Sequence, residues 1–254
     1  MVDRGRGPGM YNYNDAVSVT RDIFWVGFYD VDANLHCNPY VLIDEREVIF
    51  FDPGSIPHFP IVMRKVIDLV NPSDITTIIA SHQDPDVCGN LPVVEDVINS
   101  AELKIVAHGN VLRLIRHYGL QSPFYAVEEH DFQLTLRSGR ILKFMHTPYL
   151  HSPGAIVTYD SKTGSLFTSD LFGATSDNWS LFAGEEYITT MKTWHQEYMP
   201  SGVLLSNCIR RLERLEVSRI LPQHGSVLEG ALVRKAMEYL KELPVGMDLM
   251  GDLL

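Results

Sequence analysis

The chain has 254 residues, of which 45% are hydrophobic and 21% charged, a composition typical of a globular protein. Its 21 basic and 32 acidic side chains give a formal net charge of −11. This charge repels phosphate backbones and anionic lipid, which argues against nucleic-acid binding. No apolar run approaches the roughly 20 residues needed to cross a bilayer, so a membrane is not an expected partner either.

The cysteines and the N-terminus bear on the cellular compartment. The three cysteines, Cys37, Cys88 and Cys208, are widely separated and lack paired metal spacing. An odd, sparse count fits a reducing compartment better than a disulfide framework. Residues 1–9 are polar and glycine-rich and lack the apolar core of a signal peptide. We therefore expect a cytoplasmic protein.

Strand and helix signals alternate along the first half of the chain. The segment 47–51 is a β-branched and aromatic run that stops at the turn signal Asp52-Pro53-Gly54. Helical apolar spacing follows over 61–70, and 75–80 is a continuous apolar-rich run typical of a strand buried on both faces. The other elements predicted up to residue 118 are strands at 23–28, 40–43 and 104–107, and helices at 91–98 and 111–118.

The second half continues the alternation. The predicted strands are 132–136, 141–145, 155–159, 165–168 and 219–221, and the predicted helices are 185–197, 201–215 and 228–242. Helices placed between and after two sets of strands indicate a layered α/β protein, in which helices cover a sheet sandwich. One domain over residues 1–254 is the simplest interpretation.

Metal-ligating side chains follow directly after the buried strand at 75–80. His82, Asp84 and Asp86 alternate by two, so their side chains would face one centre on a strand, and a loop can aim them equally well. The alternative is a proline-containing turn in which the aspartates accept bonds from backbone N–H groups and His82 is incidental. These three residues alone leave both interpretations open.

Three further candidates lie just beyond later predicted strands. They are His151 in His-Ser-Pro-Gly, Asp170 in Ser-Asp, and His224 in Gln-His-Gly. Ends of strands are the usual place for site residues in layered α/β folds. His146 is an equally available neighbour of His151, and Asp170 could cap a turn. The joint pattern of three histidines and three aspartates nevertheless predicts a metal site.

The donor types indicate which metal. Zinc sites favour histidine and cysteine, whereas carboxylates combined with imidazoles suit iron or manganese. Six ligands exceed what one catalytic ion needs, and a carboxylate bridging two ions about 3.5–4 Å apart would use them all. Without cations, three clustered carboxylates would raise each other's pKa. Part of the stability of the fold should therefore depend on metal.

These segments resemble the metallo-β-lactamase superfamily and, within it, the diiron domain of flavodiiron proteins. The superfamily pattern is His-x-His-x-Asp-His, and flavodiiron proteins read His-x-Glu-x-Asp-His. This chain reads His82-x-Asp84-x-Asp86-Val87, which keeps an acidic residue in the second position. The segment Phe51-Asp52-Pro-Gly resembles the early Asp-x-Gly turn of the superfamily. The resemblance implies an αββα sandwich of the metallo-β-lactamase type.

The resemblance also implies a ligand set for two irons. One iron would be held by His82, Asp84 and His151, and the second by Asp86 and His224, with Asp170 bridging. Val87 departs from the family, because the expected histidine is missing there and the second iron gains an open position. The chain also stops at Leu254 without the flavodoxin-like module, so no flavin is expected on it.

The function implied is that of the stand-alone, sensor-like relatives of flavodiiron enzymes. Two irons, Fe2+ or Fe3+ with a bridging oxo, hydroxo or peroxo species, would bind O2, with NO as a second candidate ligand. A signalling protein such as a chemotaxis protein or sensor kinase is the implied partner, and a homodimer is left open. The alternatives are an O2 or NO reductase with a separate electron donor, and a dinuclear metallohydrolase. Asp84 in place of histidine argues against the hydrolase.

Four residues are expected around the metals. Asp52 is a candidate partner for the second ring nitrogen of a metal-bound histidine. His36, in the polar loop 32–38, and Tyr149, close in sequence to His151, are candidates for lining the O2 pocket, together with Val87.

Overall fold

The computed structural model describes residues 11–45, 47–177 and 179–251. The chain folds into two compact units. The first unit comprises the chain up to Tyr29 together with Cys37–Arg140, and the second comprises Asp30–His36 together with Ile141–Leu254. The prediction of a single domain stays a prediction.

The sheet of the first unit has seven strands in the order β1-β2-β5-β6-β7-β8-β9. Strands β6 to β9 run parallel, and the remaining pairs are antiparallel. Strands β6 and β7 are buried along their whole length, as their continuous apolar sequences predict. The bounds are β1 (Val17–Ser18), β2 (Ile23–Trp25), β5 (Tyr40–Asp44), β6 (Glu47–Phe51), β7 (Ile75–Ile79), β8 (Lys104–Ala107) and β9 (Phe124–Ala126).

Among its described residues, the first unit also contains four α-helices, four short 3-10 helices and one further strand. Helix α1 buries Val62 and Val66, one turn apart, in agreement with the predicted apolar spacing. Helix α2 is a single turn within the segment that carries the first candidate ligands. The bounds are α1 (Phe59–Leu69), α2 (Pro85–Cys88), α3 (Leu91–Ile98), α4 (Gly109–Ile115) and β10 (Gln133–Thr135).

Strands β3 (Phe28–Asp30) and β4 (Leu35–Cys37) form a separate two-stranded hairpin. Its tip, Asp30–His36, belongs to the second unit. The Asp30 carboxylate accepts bonds from the backbone N–H groups of Asp32 and Ala33, at 3.1 Å each. This is the local side-chain bonding that makes aspartate favourable in turns, and it closes the tip.

The sheet of the second unit contains β11 to β15 in chain order. Strands β13 and β14 are parallel, and the other pairs are antiparallel. Leu166, Phe172, Ile209 and Leu240 are among the fully or nearly fully buried residues of its core. The bounds are β11 (Ile141–His146), β12 (Ile156–Asp160), β13 (Ser165–Phe167), β14 (Arg219–Leu221), β15 (Leu228–Glu229), α5 (Tyr187–Tyr198), α6 (Gly202–Leu212) and α7 (Ala231–Glu242).

The predicted start of the last helix is wrong. The apolar pattern predicts a helix from residue 228, but Leu228–Glu229 is strand β15 and the helix begins at Ala231. Gly230 separates them with a φ of +59°, a conformation that glycine adopts without steric cost. Within the described residues, the longest helices have 12 residues, and no helix is long and apolar enough to span a bilayer.

Candidate metal centre

The first three candidate ligands lie at one edge of the sheet in the first unit. Because β6 and β7 are parallel, Asp52 and His82 follow strands that end at the same edge. The Asp52 carboxylate accepts two bonds from Ser81, one from the backbone N–H and one from the hydroxyl, both 2.7 Å long. Because Asp52 is buried and accepts both bonds, it holds Ser81, the residue that precedes His82, in place.

His82 and Asp84 are close to each other. His82 is buried, and its Nε2 lies 3.6 Å from Oδ2 of the half-buried Asp84. The Asp84 carbonyl accepts bonds from the N–H groups of Val87 and Cys88, both 3.0 Å long, so the chain turns into helix α2 directly after Asp84. Asp86 lies in the first turn of that helix. The segment that carries His82, Asp84 and Asp86, which the sequence predicts to be a strand end or a loop, is therefore a loop followed by one helical turn.

Negative charge accumulates at this edge. Burial, followed by the charges of Asp52, Asp84 and Asp86, raises the pKa of the Cys88 thiol. Three carboxylates that act on one buried group create a local field that a bound cation would relieve. The donor set of this unit thus suits a hard or borderline cation.

The other three candidates lie at one edge of the sheet in the second unit. Strands β13 and β14 are parallel, so Asp170 and His224 follow strands that end side by side. Strand β12 runs antiparallel to β13 and begins at this same edge, shortly after His151. The Gln223 N–H donates to the Ser169 carbonyl at 2.8 Å and ties the two loops together.

Asp170 is approached by an imidazole at each carboxylate oxygen. His151 Nε2 lies 2.9 Å from Oδ2, and His224 Nε2 lies 3.6 Å from Oδ1. The Asp170 side chain is only 4% exposed. One carboxylate flanked by two imidazole nitrogens is compatible with a carboxylate that bridges two metal ions. His146, the alternative to His151, instead forms a bond through Nε2 with the Pro153 carbonyl at 2.9 Å.

The ring orientation of His224 is set by a hydrogen bond. Its Nδ1 lies 3.0 Å from the carbonyl oxygen of His36. Because a carbonyl can only accept, Nδ1 carries the proton, and the lone pair of the neutral ring is on Nε2, the atom nearest Asp170. This is how proteins usually orient a metal-binding histidine.

Three side chains of helix α5 hold the turn that contains Asp170. Trp194 Nε1 donates to the Asp170 carbonyl at 2.9 Å. His195 Nε2 accepts from the Phe172 N–H at 3.0 Å, and the Tyr187 hydroxyl donates to the Phe172 carbonyl at 2.9 Å. Sequence reasoning missed these residues. Their spacing of seven and eight positions indicates one helix face, but nothing in the sequence connects that face to Asp170.

Two buried histidines at this edge are neutral. Burial, and secondarily the charge of His224, lowers the pKa of His36 to about 4. Burial likewise lowers the pKa of His195 to about 4, opposed in part by its bond to the Met191 carbonyl and by the charge of Asp170. Protonation of His195 would remove the acceptor for Phe172, so the turn at Asp170 depends on the neutral form.

The residues expected around the metals differ in burial. Asp52, His36 and Val87 are buried, whereas Tyr149 is 52% exposed. The roles predicted for Val87, His36 and Tyr149 in an O2 pocket stay predictions. Gln223 adds a further polar group: its amide is 1% exposed, and among the described residues neither its oxygen nor its nitrogen has a hydrogen-bond partner. Such buried groups usually bind water or a ligand.

The loop at His224 needs the glycine that follows it. Gly225 has a φ of +84°, and a Cβ there would lie 2.2 Å from the Tyr187 hydroxyl oxygen and 3.0 Å from the Ala174 nitrogen. The Tyr187 hydroxyl bonds both to the Phe172 carbonyl and to the Ser226 N–H. A side chain at position 225 would therefore displace a group that joins two candidate ligand loops.

We expect Gly225→Ala to lower the free energy of unfolding by about 3 kcal/mol, from left-handed backbone strain and lost buried hydrogen bonds. Urea unfolding of the metal-free protein measures this. Gly230→Ala is the matched control, because Gly230 also has a positive φ but a Cβ there meets nothing within 4 Å. We expect it to cost only about 1 kcal/mol. Equal losses for the two variants would contradict the clash at Tyr187.

Solved structures with the same fold cover nearly the whole chain. The apo state of the chemotaxis sensor ODP from T. denticola matches with a TM-score of 0.79 and 24% identity, covering 94% of this chain and 98% of that one. A structure described as a peroxy diiron species of the same sensor matches with a TM-score of 0.78. Rubredoxin:oxygen oxidoreductase from Desulfovibrio gigas matches with a TM-score of 0.80 and 20% identity, covering 90% of this chain and 61% of that one.

Curated relatives are longer proteins. A putative diflavin flavoprotein A 1 from Nostoc is 28% identical over 74% of this chain and 33% of its own length. The protein of the same name from Thermosynechococcus vestitus is 32% identical over 75% of this chain and 34% of its own length. The chain thus spans about a third of the length of these relatives.

These matches confirm the prediction of a metallo-β-lactamase-like α/β fold related to flavodiiron domains. Residues 35–225, well over half of the chain, match the family described as ODP family beta lactamase, and this stretch contains all six candidate ligands. The chain belongs to the ODP family of β-lactamase-fold proteins.

Proposed function

We propose that this protein is a non-haem diiron protein that binds O2 and acts as an oxygen sensor. The observation that carries the proposal is Asp170, whose two carboxylate oxygens each lie next to an imidazole nitrogen, of His151 and of His224. A buried carboxylate of this kind suits a bridging position between two cations. The related solved structures include a peroxy diiron species of a chemotaxis sensor, which supports iron and O2.

The proposed ligand set contains three histidines and three aspartates. One iron is assigned to His82, Asp84 and His151, and the second to Asp86 and His224, with Asp170 bridging. Equal numbers of carboxylates and imidazoles favour iron over zinc. The negative field at Cys88 supports a bound cation. The side-chain amide of Gln223, which has no hydrogen-bond partner among the described residues, supports a bound water or polar ligand.

Sensing is favoured over rapid turnover by Val87. Val87 is fully buried and apolar, so it supplies no donor where flavodiiron enzymes place a histidine. A second iron held by Asp86 and His224 would then have one fewer neutral ligand, which would leave room for O2. Bound iron would supply reversible one-electron chemistry and an O2 site, while the protein residues orient the ligands and keep the site buried.

A reductase that takes electrons from a separate donor is the second candidate. It is supported by the fold shared with rubredoxin:oxygen oxidoreductase and by the diflavin flavoproteins, which carry the matching segment within longer chains. NO is the alternative gas for either function. A signalling protein of the chemotaxis or sensor-kinase class is the partner proposed for the sensor.

The test is anaerobic expression in iron-rich medium, metal quantification, and an optical spectrum before and after O2. We expect about two irons per chain and a visible absorption band that appears with O2 and persists without continued O2 consumption. Stoichiometric zinc without iron would contradict the proposal. Sustained O2 or NO consumption with an artificial electron donor would favour the reductase. Hydrolysis of a thioester, lactam or phosphodiester would favour the hydrolase.

A further inference from the structure

Trp179 lies at the centre of a cluster of contacts around His224, all within the second unit. Its ring stacks on the ring of His36, with centroids 4.2 Å apart and planes inclined by 13°. Its indole Nε1 donates to the Gly225 carbonyl at 2.7 Å. His36 in turn accepts, through its carbonyl, the bond from His224 Nδ1. We call these four residues the Trp179 cluster.

The other members of the Trp179 cluster hold His224 from two sides. The stack fixes the residue whose carbonyl orients the imidazole, and the indole bond fixes the carbonyl of Gly225, the residue after His224. His36 is 5% exposed and 188 positions away from His224 in the chain, so the contact depends on tertiary structure. Trp179 contacts both ends of this arrangement.

Hydrogen bonds on either side of Trp179 anchor its loop. The Asn34 amide at the hairpin tip donates to the Asp177 carboxylate at 3.1 Å. The Ser226 hydroxyl donates to the Ser180 carbonyl at 2.6 Å. The loop is thereby tied to the segment that contains His36 and to the segment that contains His224, and Trp179 lies between the two attachments.

We propose that Trp179 is a positioning residue for His224 that sets the orientation and tautomer of its ring for metal binding. This inference rests on the proposed function, because it assumes that His224 is an iron ligand. If His36 shifts, Nδ1 loses its acceptor, and the ring can rotate or carry its proton on Nε2. An N–H then replaces the lone pair that the metal requires.

The first test is iron affinity in Trp179→Leu and Trp179→Phe, measured by anaerobic Fe2+ titration against a competing chelator. Leucine removes both the stack and the indole bond, and we expect the iron assigned to His224 to bind about 10–100-fold more weakly. Phenylalanine keeps an aromatic ring on His36 but loses the bond to Gly225, so its affinity should lie between leucine and wild type.

The second test is the tautomer of His224 in the metal-free protein, read from 1H–15N NMR of the imidazole. Wild type should show an Nδ1–H signal that exchanges slowly with water, and Trp179→Leu should lose it or show a mixture of tautomers. Tyr239→Leu is the matched control. Tyr239 is a half-buried aromatic of α7 that packs on the core of the same unit, and its loss should change neither measurement.

Wild-type iron affinity and a wild-type Nδ1–H signal in Trp179→Leu would overturn the inference. If the leucine variant does not fold, Trp179→Phe decides in the same way, provided that its unfolding midpoint matches wild type. Wild-type protein that binds no iron would instead contradict the proposed function. The tautomer measurement would still decide whether Trp179 positions His224.

Discussion

Replacing Asp170 with asparagine is expected to reduce bound iron from about two ions per chain to fewer than one. Asparagine has nearly the same shape, but one of its two terminal atoms is an NH2 group that cannot bind a cation. In the wild type, the two oxygens of Asp170 lie 2.9 and 3.6 Å from the Nε2 atoms of His151 and His224. Metal quantification after anaerobic reconstitution with Fe2+ measures the loss.

The same variant should lose stabilisation by metal. A ligand that binds only the folded state adds about 2.7 kcal/mol when present at 100 times its dissociation constant. Wild-type protein should therefore unfold at a higher temperature with Fe2+ than without it, and Asp170→Asn should not. Asp160→Asn is the control, because Asp160 is also fully buried in the second unit but bonds to Lys162 and Thr163. An Asp170→Asn protein that retained two irons would refute the bridging role.

The second large effect concerns pH and His195. Burial lowers the pKa of His195 to about 4 in the folded protein, whereas an unfolded histidine has a pKa near 6.5. At a pH between these two pKa values, His195 binds a proton in the unfolded chain but not in the folded protein. The contribution of His195 to the free energy of unfolding is therefore fully present above about pH 6.5. It is lost as the pH falls toward 4, by about 3 kcal/mol in total.

His195→Gln should remove this pH dependence. Glutamine offers an acceptor for the Phe172 N–H but no titrating group. Urea unfolding of metal-free wild type and variant, at about pH 7.5 and about pH 4.5, isolates the contribution of His195 by difference, because the carboxylates are common to both. His117→Gln, at an exposed position, should behave like wild type. Parallel loss of stability in wild type and His195→Gln would contradict a neutral buried His195.

The candidate ligands could be proposed from the sequence because their signals are local. His82 follows a run whose apolar residues indicate a buried strand, and His224 follows another short strand. In parallel strands, chain direction alone determines which ends share an edge. The pairing of β6 with β7 and of β13 with β14 therefore groups residues that the sequence only shows in succession. The predicted start of the last helix at residue 228 was wrong because a two-residue strand has too few positions to show a period.

The supporting residues were not predictable in the same way. Trp194 and His195 fit the pattern of an amphipathic helix, and such residues more often belong to a core than to a site. Their bonds to Asp170 and Phe172 depend on how α5 packs on the second unit. Trp179 lies in an irregular loop, where no periodicity indicates which way an indole points.

By itself, the sequence determined the chemistry of the donors, their order along the chain and the alternation of strands and helices. Each of these depends on residue type or on spacing within a few positions. Only the tertiary structure decided that the two oxygens of Asp170 meet His151 and His224, and that the His36 carbonyl selects the tautomer of His224. Those contacts join residues up to 188 positions apart, and they are set by sheet register and side-chain packing.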